Sequence, residues 1–412
     1  MTTTSYDPYA ALRLPQFRLF LTGRLCFTLA LQIQAVIVSW QIFEITKNPL
    51  SLGLIGLAEA IPSITVALYA GYVADSTSRK KIITAVLTML LVCSASLLFL
   101  TLDLSPESLH NKVIPIYAII FISGAARGFL GPAIFSFMPQ LIHDKSLYAN
   151  AISWNSALWQ GASVAGPALG GLIYAYFGIS ASYATDAVLT LTSLTVFLLI
   201  HSVPLPEIPQ KQSILKSLKE GIKFVFSNQI ILSAISLDLF AVLFGGAVAL
   251  LPVFAAEILK TGPEGLGLLR AAPAVGSALM ILFMTYNPIH KGAGKKMLFC
   301  VAGFGVCMIL FGISTNFYFS LLILALSGAF DGISVIIRST LIQLYTPENM
   351  KGRVSSVNNI FIGSSNEIGS FESGVAAKLM GVVTSVVFGG AMTLGVVGFT
   401  AWKADKLRRL NL

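Results

Sequence analysis

The sequence predicts an all-α integral membrane protein of twelve transmembrane helices in two pseudo-symmetric six-helix bundles, and three observations lead there. Hydrophobic residues make up 55% of the 412 and charged residues 11%, with a strongly positive mean hydropathy, a composition whose surface water would not keep dispersed. Twelve apolar stretches are each long enough for the roughly 20 residues of a helical crossing. Two phrases of the first half also return in the second with the charge reversed. Gly56-Leu57-x-Glu59-Ala60-x-Pro62 comes back as Gly267-Leu268-x-Arg270-Ala271-x-Pro273. Ser123-Gly124-Ala125-x-Arg127-Gly128 comes back as Ser327-Gly328-Ala329-x-Asp331-Gly332. A parallel repeat with ionisable groups at membrane depth in both copies points to a solute pathway rather than a passive anchor.

The first span, 17–43, follows a stretch without the apolar core of a cleavable signal and is too long to be one, so it acts as its own insertion signal. The second, 50–74, carries Glu59, the third is 82–102, and the fourth, 113–139, carries Arg127. The fifth, 151–177, is rich in small residues, and the sixth, 181–202, holds Asp186. Asp238 lies in the seventh, 229–256, Arg270 in the eighth, 265–288, and the ninth is 297–314. The tenth, 317–344, contains Asp331 and Arg338; the eleventh, 355–380, contains Glu367 and Glu372; the twelfth is 382–402.

The net charge of +9 does not indicate nucleic acid, because the basic residues alternate by loop. With the N-terminus inside, cytoplasmic segments hold nineteen Lys and Arg and outer loops four, Lys47, Lys112, Lys260 and Lys378. The positive-inside rule then puts both termini in the cytoplasm. Cys26, Cys93, Cys300 and Cys307 all fall in spans and read as small apolar residues, with no disulfide framework. No metal site and no cofactor are expected. The four histidines, His110, His143, His201 and His290, lie in or near loops with no nucleophile motif or nucleotide loop, which argues against an enzyme. A channel would need a ring of selectivity groups, which the asymmetric charges disfavour.

The longest cytoplasmic stretch divides the spans six and six, giving bundles at 1–205 and 229–412 joined by a linker at 206–228. Its Pro204, Pro206 and Pro209 cannot continue a helix, and beyond them Ile214, Leu218, Ile222, Val225 and Phe226 recur at helical spacing. Lys216, Lys219, Glu220 and Lys223 occupy other faces, so the segment is expected to lie along the membrane surface. Gly124 with Gly128, Gly328 with Gly332, and Gly166 with Gly170 have the spacing that lets helices approach closely in lipid.

The loop Gly71-Tyr72-Val73-Ala74-Asp75-Ser76-Thr77-Ser78-Arg79-Lys80-Lys81 resembles the signature G-x-L-a-D-r-x-G-r-k of the major facilitator superfamily. Gly166-Pro167-Ala168-Leu169-Gly170-Gly171 in the fifth span resembles the core of its antiporter-associated motif, a helix-packing element. Ser76 and Ser78 depart from the loop signature, and Ala162 stands where the fuller antiporter motif has Gly. Within the superfamily the chain is most similar to bacterial drug and siderophore exporters, in Gly56-Leu57-Ala58-Glu59-Ala60-Ile61-Pro62, Leu250-Leu251-Pro252-Val253-Phe254-Ala255 and Gly352-Arg353-Val354. The resemblance implies the major facilitator fold and a proton-coupled exporter of small amphiphilic compounds working by alternating access. It also implies a monomer in the bacterial inner membrane, whose partners are a small-molecule substrate, protons and the lipid bilayer. Import of a sugar, peptide or other metabolite on the same fold is the alternative.

Asp75 ends the second span, where an acid suits the positive N-terminal dipole of another helix; the resemblance implies the start of the eleventh, near Ser355 and Ser356, as an inner gate. Arg79 either joins that gate or contacts anionic lipid, and Lys80 reads as a topology residue. Within the membrane, Glu59, Asp186, Asp238, Asp331, Glu367 and Glu372 face Arg127, Arg270 and Arg338, each expensive without a partner, water or protonation. The repeat makes Glu59 with Arg127, and Asp331 with Arg270, the symmetric pairings, and leaves Glu367 or Glu372 for Arg338. Asp186 is expected to be structural or near the outer surface. Such acids are static ion pairs or proton carriers. In the fold that the resemblance implies, helices one, four, seven and ten line the cavity, so Asp238, with no basic residue nearby in sequence, leads the carriers, ahead of Glu59, Asp331 and Glu367. Gln32, Gln34, Trp40, Trp154, Asn155, Trp159, Phe240 and Phe244 offer an apolar lining with scattered amides, or serve instead as packing or interface residues.

Overall fold

The computed structural model describes residues 7–102, 112–142, 144–201, 214–287, 292–347, 350–408 and 410. Regular structure among them is entirely helical. Helices α1 (Pro15–Thr46) and α2 (Pro49–Ser76) both open on proline, whose missing N–H falls where a helix has no acceptor for it. Then come α3 (Arg79–Phe99), α4 (Val113–Phe137) and a continuous run, α5 (Tyr148–Leu199), of 52 residues. Inside that run Gly178 adopts φ +80°, left-handed backbone that favours glycine, and this breaks it into the expected fifth and sixth spans.

The linker helix is α6 (Ile214–Ser227), followed by α7 (Gln229–Gly245), α8 (Gly262–Tyr286), α9 (Ala293–Ile313), α10 (Phe317–Tyr345), α11 (Lys351–Met380), α12 (Val382–Lys403) and a short α13 (Asp405–Arg408). Asn228 caps α7 by accepting from the N–H groups of Ile230 and Ile231, and Asn316 caps α10 by accepting from Phe319 N at 3.0 Å. Beyond Gly246, α7 continues irregularly through Ala247–Leu250, Leu251–Val253 and a π-type turn at Phe254–Ile258. Length and hydropathy mark ten described helices as able to cross a membrane. The break at Gly178 and the more polar α11 bring the crossings to the twelve that the sequence predicts.

The chain forms two compact units, residues 1–37 with 61–210, and 38–60 with 211–412. The C-terminal end of α1 and the N-terminal part of α2 thus belong with the second unit, and so does the linker helix. In the first unit Phe17, Phe20, Phe137 and Phe197 centre a buried core, with the Phe20 ring 6.0 Å from Phe197 and 6.3 Å from Phe137. Gly166 and Gly170 let α5 lie on α1: a Cβ on Gly166 would stand 2.4 Å from Gln32 Cβ, and one on Gly170 3.1 Å from Ile33 Cα. Pro167 and Gly171 are buried beside them. Lys80 Nζ donates to the carbonyls of Leu198, at 2.9 Å, and Ile200. It therefore caps the C-terminal end of α5 rather than serving topology alone.

In the second unit α8 and α10 touch backbone to backbone. A Cβ on Gly276 would fall 1.7 Å from Ala325 O, and one on Gly328 1.9 Å from Pro273 O, while Gly332 rests on Ser277. The linker helix divides its apolar stripe. Val225 is buried with Val354 and Val357, whereas Ile222 and Phe226 stay exposed. Gly221 meets the Arg353 backbone and Glu220 forms an ion pair with Arg353, so α6 docks on the start of α11 in addition to offering an outward apolar edge.

Candidate functional site: three buried charge clusters

The first unit holds one cluster. Asp186, on the second segment of α5, is 2% exposed and accepts from Gln34 Nε2 at 3.1 Å and from the Ser94 hydroxyl, and the Arg127 charge acts on it. Of the two expectations for Asp186, structural or near the outer surface, the buried polar network fits the first. Gln34 is bound into that network rather than free to line a cavity. The readable signal was the need of Arg127 on α4 for a carboxylate, which its own unit supplies. Arg127→Gln is expected to destabilise more than Arg127→Gln combined with Asp186→Asn, because the single change strands a buried carboxylate. Thermal unfolding of both variants in detergent reads the difference.

The second cluster surrounds Arg270 on α8. Glu59 on α2 and Glu367 on α11 both act electrostatically on its guanidinium, and Arg270 donates to Ser39 Oγ at 3.3 Å. The repeat-derived pairing of Arg270 with Asp331 is replaced by this one, because the C-terminal end of α1 and the N-terminal part of α2 belong to the second unit.

The third cluster lies where α7, α9 and α10 converge. Asp238 and Arg338 form an ion pair with side chains 9% and 4% exposed. Arg338 thus takes Asp238, rather than Glu367 or Glu372, as its partner, and Asp238 is not the isolated acid that its sequence neighbours implied. Asp331, Ser334 and Arg338 follow at i, i+3 and i+7, one face of α10. Asp238, Asp331 and Ser334 line a water-sized pocket of about 10 Å³ with Ala241, Val242, Cys300, Val301, Phe304 and Phe330. The Ser334 hydroxyl is buried there with no hydrogen-bond partner among the described residues. Glu372 is half-buried on α11 and takes part in none of the three clusters.

The expected lining residues disperse. Gln32 packs its stem on Gly166, and Trp40 is 7% exposed in the second unit. Trp154 donates from its indole to Pro8 O at 2.8 Å and lies against Tyr9, so it fastens the N-terminal segment instead of facing a cavity. Trp159 is 49% exposed, and Asn155 Oδ1 is buried without a hydrogen-bond partner among the described residues. Phe240 and Phe244 stack 6.4 Å apart at 13° on one side of α7. Of the expected inner gate, the Asp75 side chain lies outside the described residues; Arg79 is buried with Nε and one terminal nitrogen unbonded among them. No group of three His, Cys, Asp or Glu able to hold a metal occurs among the described residues.

Three comparisons with known proteins bear on this arrangement. The chain is 26% identical over 391 residues to the enterobactin exporter EntS of Escherichia coli O1:K1 / APEC, covering 93% of this chain and 91% of that protein. The same identity and coverage hold for EntS of Escherichia coli O139:H28 (strain E24377A / ETEC). Among solved structures it superposes on a D-xylose–proton symporter with a TM-score of 0.75 at 14% identity, covering 98% of this chain and 100% of that one. The POT family transporter PepTSo gives 0.72 at 14% identity, with 96% and 98% covered. A bacterial homologue of the iron transporter ferroportin in its inward-facing state gives 0.67 at 16% identity, with 97% and 99% covered. These likenesses establish the fold. The profile of the transmembrane secretion effectors matches residues 6–410, and the chain belongs to that family of multi-pass transporters within the major facilitator superfamily.

Proposed function

We propose that this transporter exports a small amphiphilic compound, of the drug or siderophore class, in exchange for protons, and that Asp331 takes up and releases the proton. The observation that carries this is the charge count around the α7–α9–α10 cavity. Two carboxylates, Asp238 and Asp331, line it, and the arginine on the same face of α10 is committed to Asp238. With Asp331 ionised the cluster carries one uncompensated negative charge; with Asp331 protonated it is neutral. Arg338 pairs with Asp238 and makes that residue the weaker carrier, which leaves Asp331 as the acid on the pocket wall whose charge the arginine does not take up. Glu59 and Glu367 share Arg270 and are disfavoured for the same reason. Cys300 is the remaining titratable group on the cavity wall.

Export of enterobactin by relatives at 26% identity supports the direction and the amphiphilic class of substrate, and the stacked Phe240 and Phe244 supply an apolar face for it. The inner membrane, with both termini in the cytoplasm and one chain as the working unit, completes the proposal. Protein reconstituted in liposomes is expected to move substrate uphill when a pH gradient is imposed. Asp331→Asn is expected to reduce that movement to the level of protein-free liposomes while substrate binding, read by thermal shift, persists. Full gradient-driven transport in Asp331→Asn refutes the proton assignment, and uphill movement only in the opposite direction favours import.

A further inference from the structure

We infer that Glu59, Arg270 and Glu367 form a charge lock at the outer end of the bundle, and that the sign reversal in the repeat exists because equivalent positions of the two copies meet there. Glu59 and Arg270 occupy the same place in the duplicated phrase, three residues after its opening Gly and just before Ala-x-Pro. In a duplicated helical transporter the two copies are related by a pseudo-two-fold axis, and positions beside that axis face their own counterparts. A duplicated charge at such a place would meet a like charge in a medium of low dielectric; reversing one sign turns repulsion into attraction. The structure agrees, since the Glu59 charge acts on Arg270 and both residues belong to one compact unit.

Two further observations locate the lock and show how it is assembled. Gly53 at the start of α2 and Gly374 on α11 leave no side chain between the helices: a Cβ on Gly374 would stand 2.8 Å from Gly53 Cα. One turn on, a Cβ on Gly56 would stand 2.9 Å from Ser370 Cβ and 3.3 Å from a Glu367 carboxylate oxygen. This close approach brings a second carboxylate, from α11, beside α2, and its charge too acts on Arg270. Phe43, Leu52 and Val253, with Ile55 and Val382 against them, close an apolar layer over the same end. Residues 38–60 belong to the second compact unit for these reasons. Alternating access requires this segment to part from α8 and α11, so the lock must open in every cycle. The inference rests on the family's transport cycle and not on which ion drives it.

The test reads access from outside. In a background with Cys26, Cys93, Cys300 and Cys307 replaced by Ala, a reporter Phe240→Cys is labelled with a membrane-impermeant maleimide applied to spheroplasts. Adding Arg270→Gln is expected to speed labelling on the order of tenfold, as a closed state held by charge loses its pair. Glu59→Arg alone is expected to do the same, and Glu59→Arg with Arg270→Glu to return the rate toward that of the parent. Should Arg270→Gln fail to fold, Glu59→Gln and Glu367→Gln, which keep the arginine and one carboxylate, are expected to give smaller increases. Equal labelling in the parent and in every folded single variant, or a double variant no closer to the parent than Glu59→Arg alone, overturns the inference.

Discussion

Arg338→Met is expected to destabilise the protein by about 3–5 kcal/mol, the loss usual when one member of a buried ion pair is removed and the other is left uncompensated. Both partners are buried, so neither solvent nor salt can replace the lost contact. The damage is specific to the stranded carboxylate: adding Asp238→Asn to Arg338→Met is expected to recover much of the stability, since a neutral amide costs far less to bury than an uncompensated charge. The melting temperature in detergent of the parent, both single variants and the double variant measures this. Strict additivity would mean that the two groups do not act on one another. Transport is not expected to recover with stability, because neither charge of the ion pair beside Asp331 remains.

Gly328→Leu is the second large effect. The first atom added would stand 1.9 Å from the carbonyl oxygen of Pro273, and the obstacle is helix backbone rather than the flexible end of a side chain. Relief requires α8 and α10 to separate along a contact that Gly276 makes equally tight from the other helix, and the Asp331–Ser334–Arg338 face moves with α10. Overpacking of about 1–3 kcal/mol is the ordinary scale, and a backbone obstacle places this variant at or above its upper end. Loss of the monodisperse peak in size-exclusion chromatography, or a strongly lowered melting temperature, is the expected outcome. Gly363→Ala on α11 is the control, because nothing lies within 4 Å of its added Cβ. There the gain in helix propensity is expected to leave stability unchanged or raise it by up to about 1 kcal/mol.

What could be read from the sequence was whatever a single helix decides by itself. Hydropathy over about 20 residues located the crossings, because in lipid a segment must satisfy its own backbone and so must be helical along its whole length. Gly178 could be foreseen as a gap between spans, and Gly328 and Gly332 as a contact surface, since the spacing that permits close approach is local. The amphipathic linker was likewise visible, although not that Val225 turns onto α11 while Phe226 remains outside.

Charge partners were decided only by the tertiary structure. Asp238 has no basic neighbour along the chain, yet Arg338 lies against it from α10. Arg270 takes Glu59 and Glu367 from two other helices, and Asp186 takes Gln34 and Arg127 from two more. Trp154 has the composition of a cavity residue and the hydrogen bond of an anchor. The sequence by itself determined how many crossings there are, in which stretches they lie, and that their buried charges must be compensated. Which charge meets which depended on how the helices are rotated and paired, because a carboxylate in lipid gains far more from an arginine on a neighbouring helix than from any residue beside it in the chain, and only packing decides which helix that is.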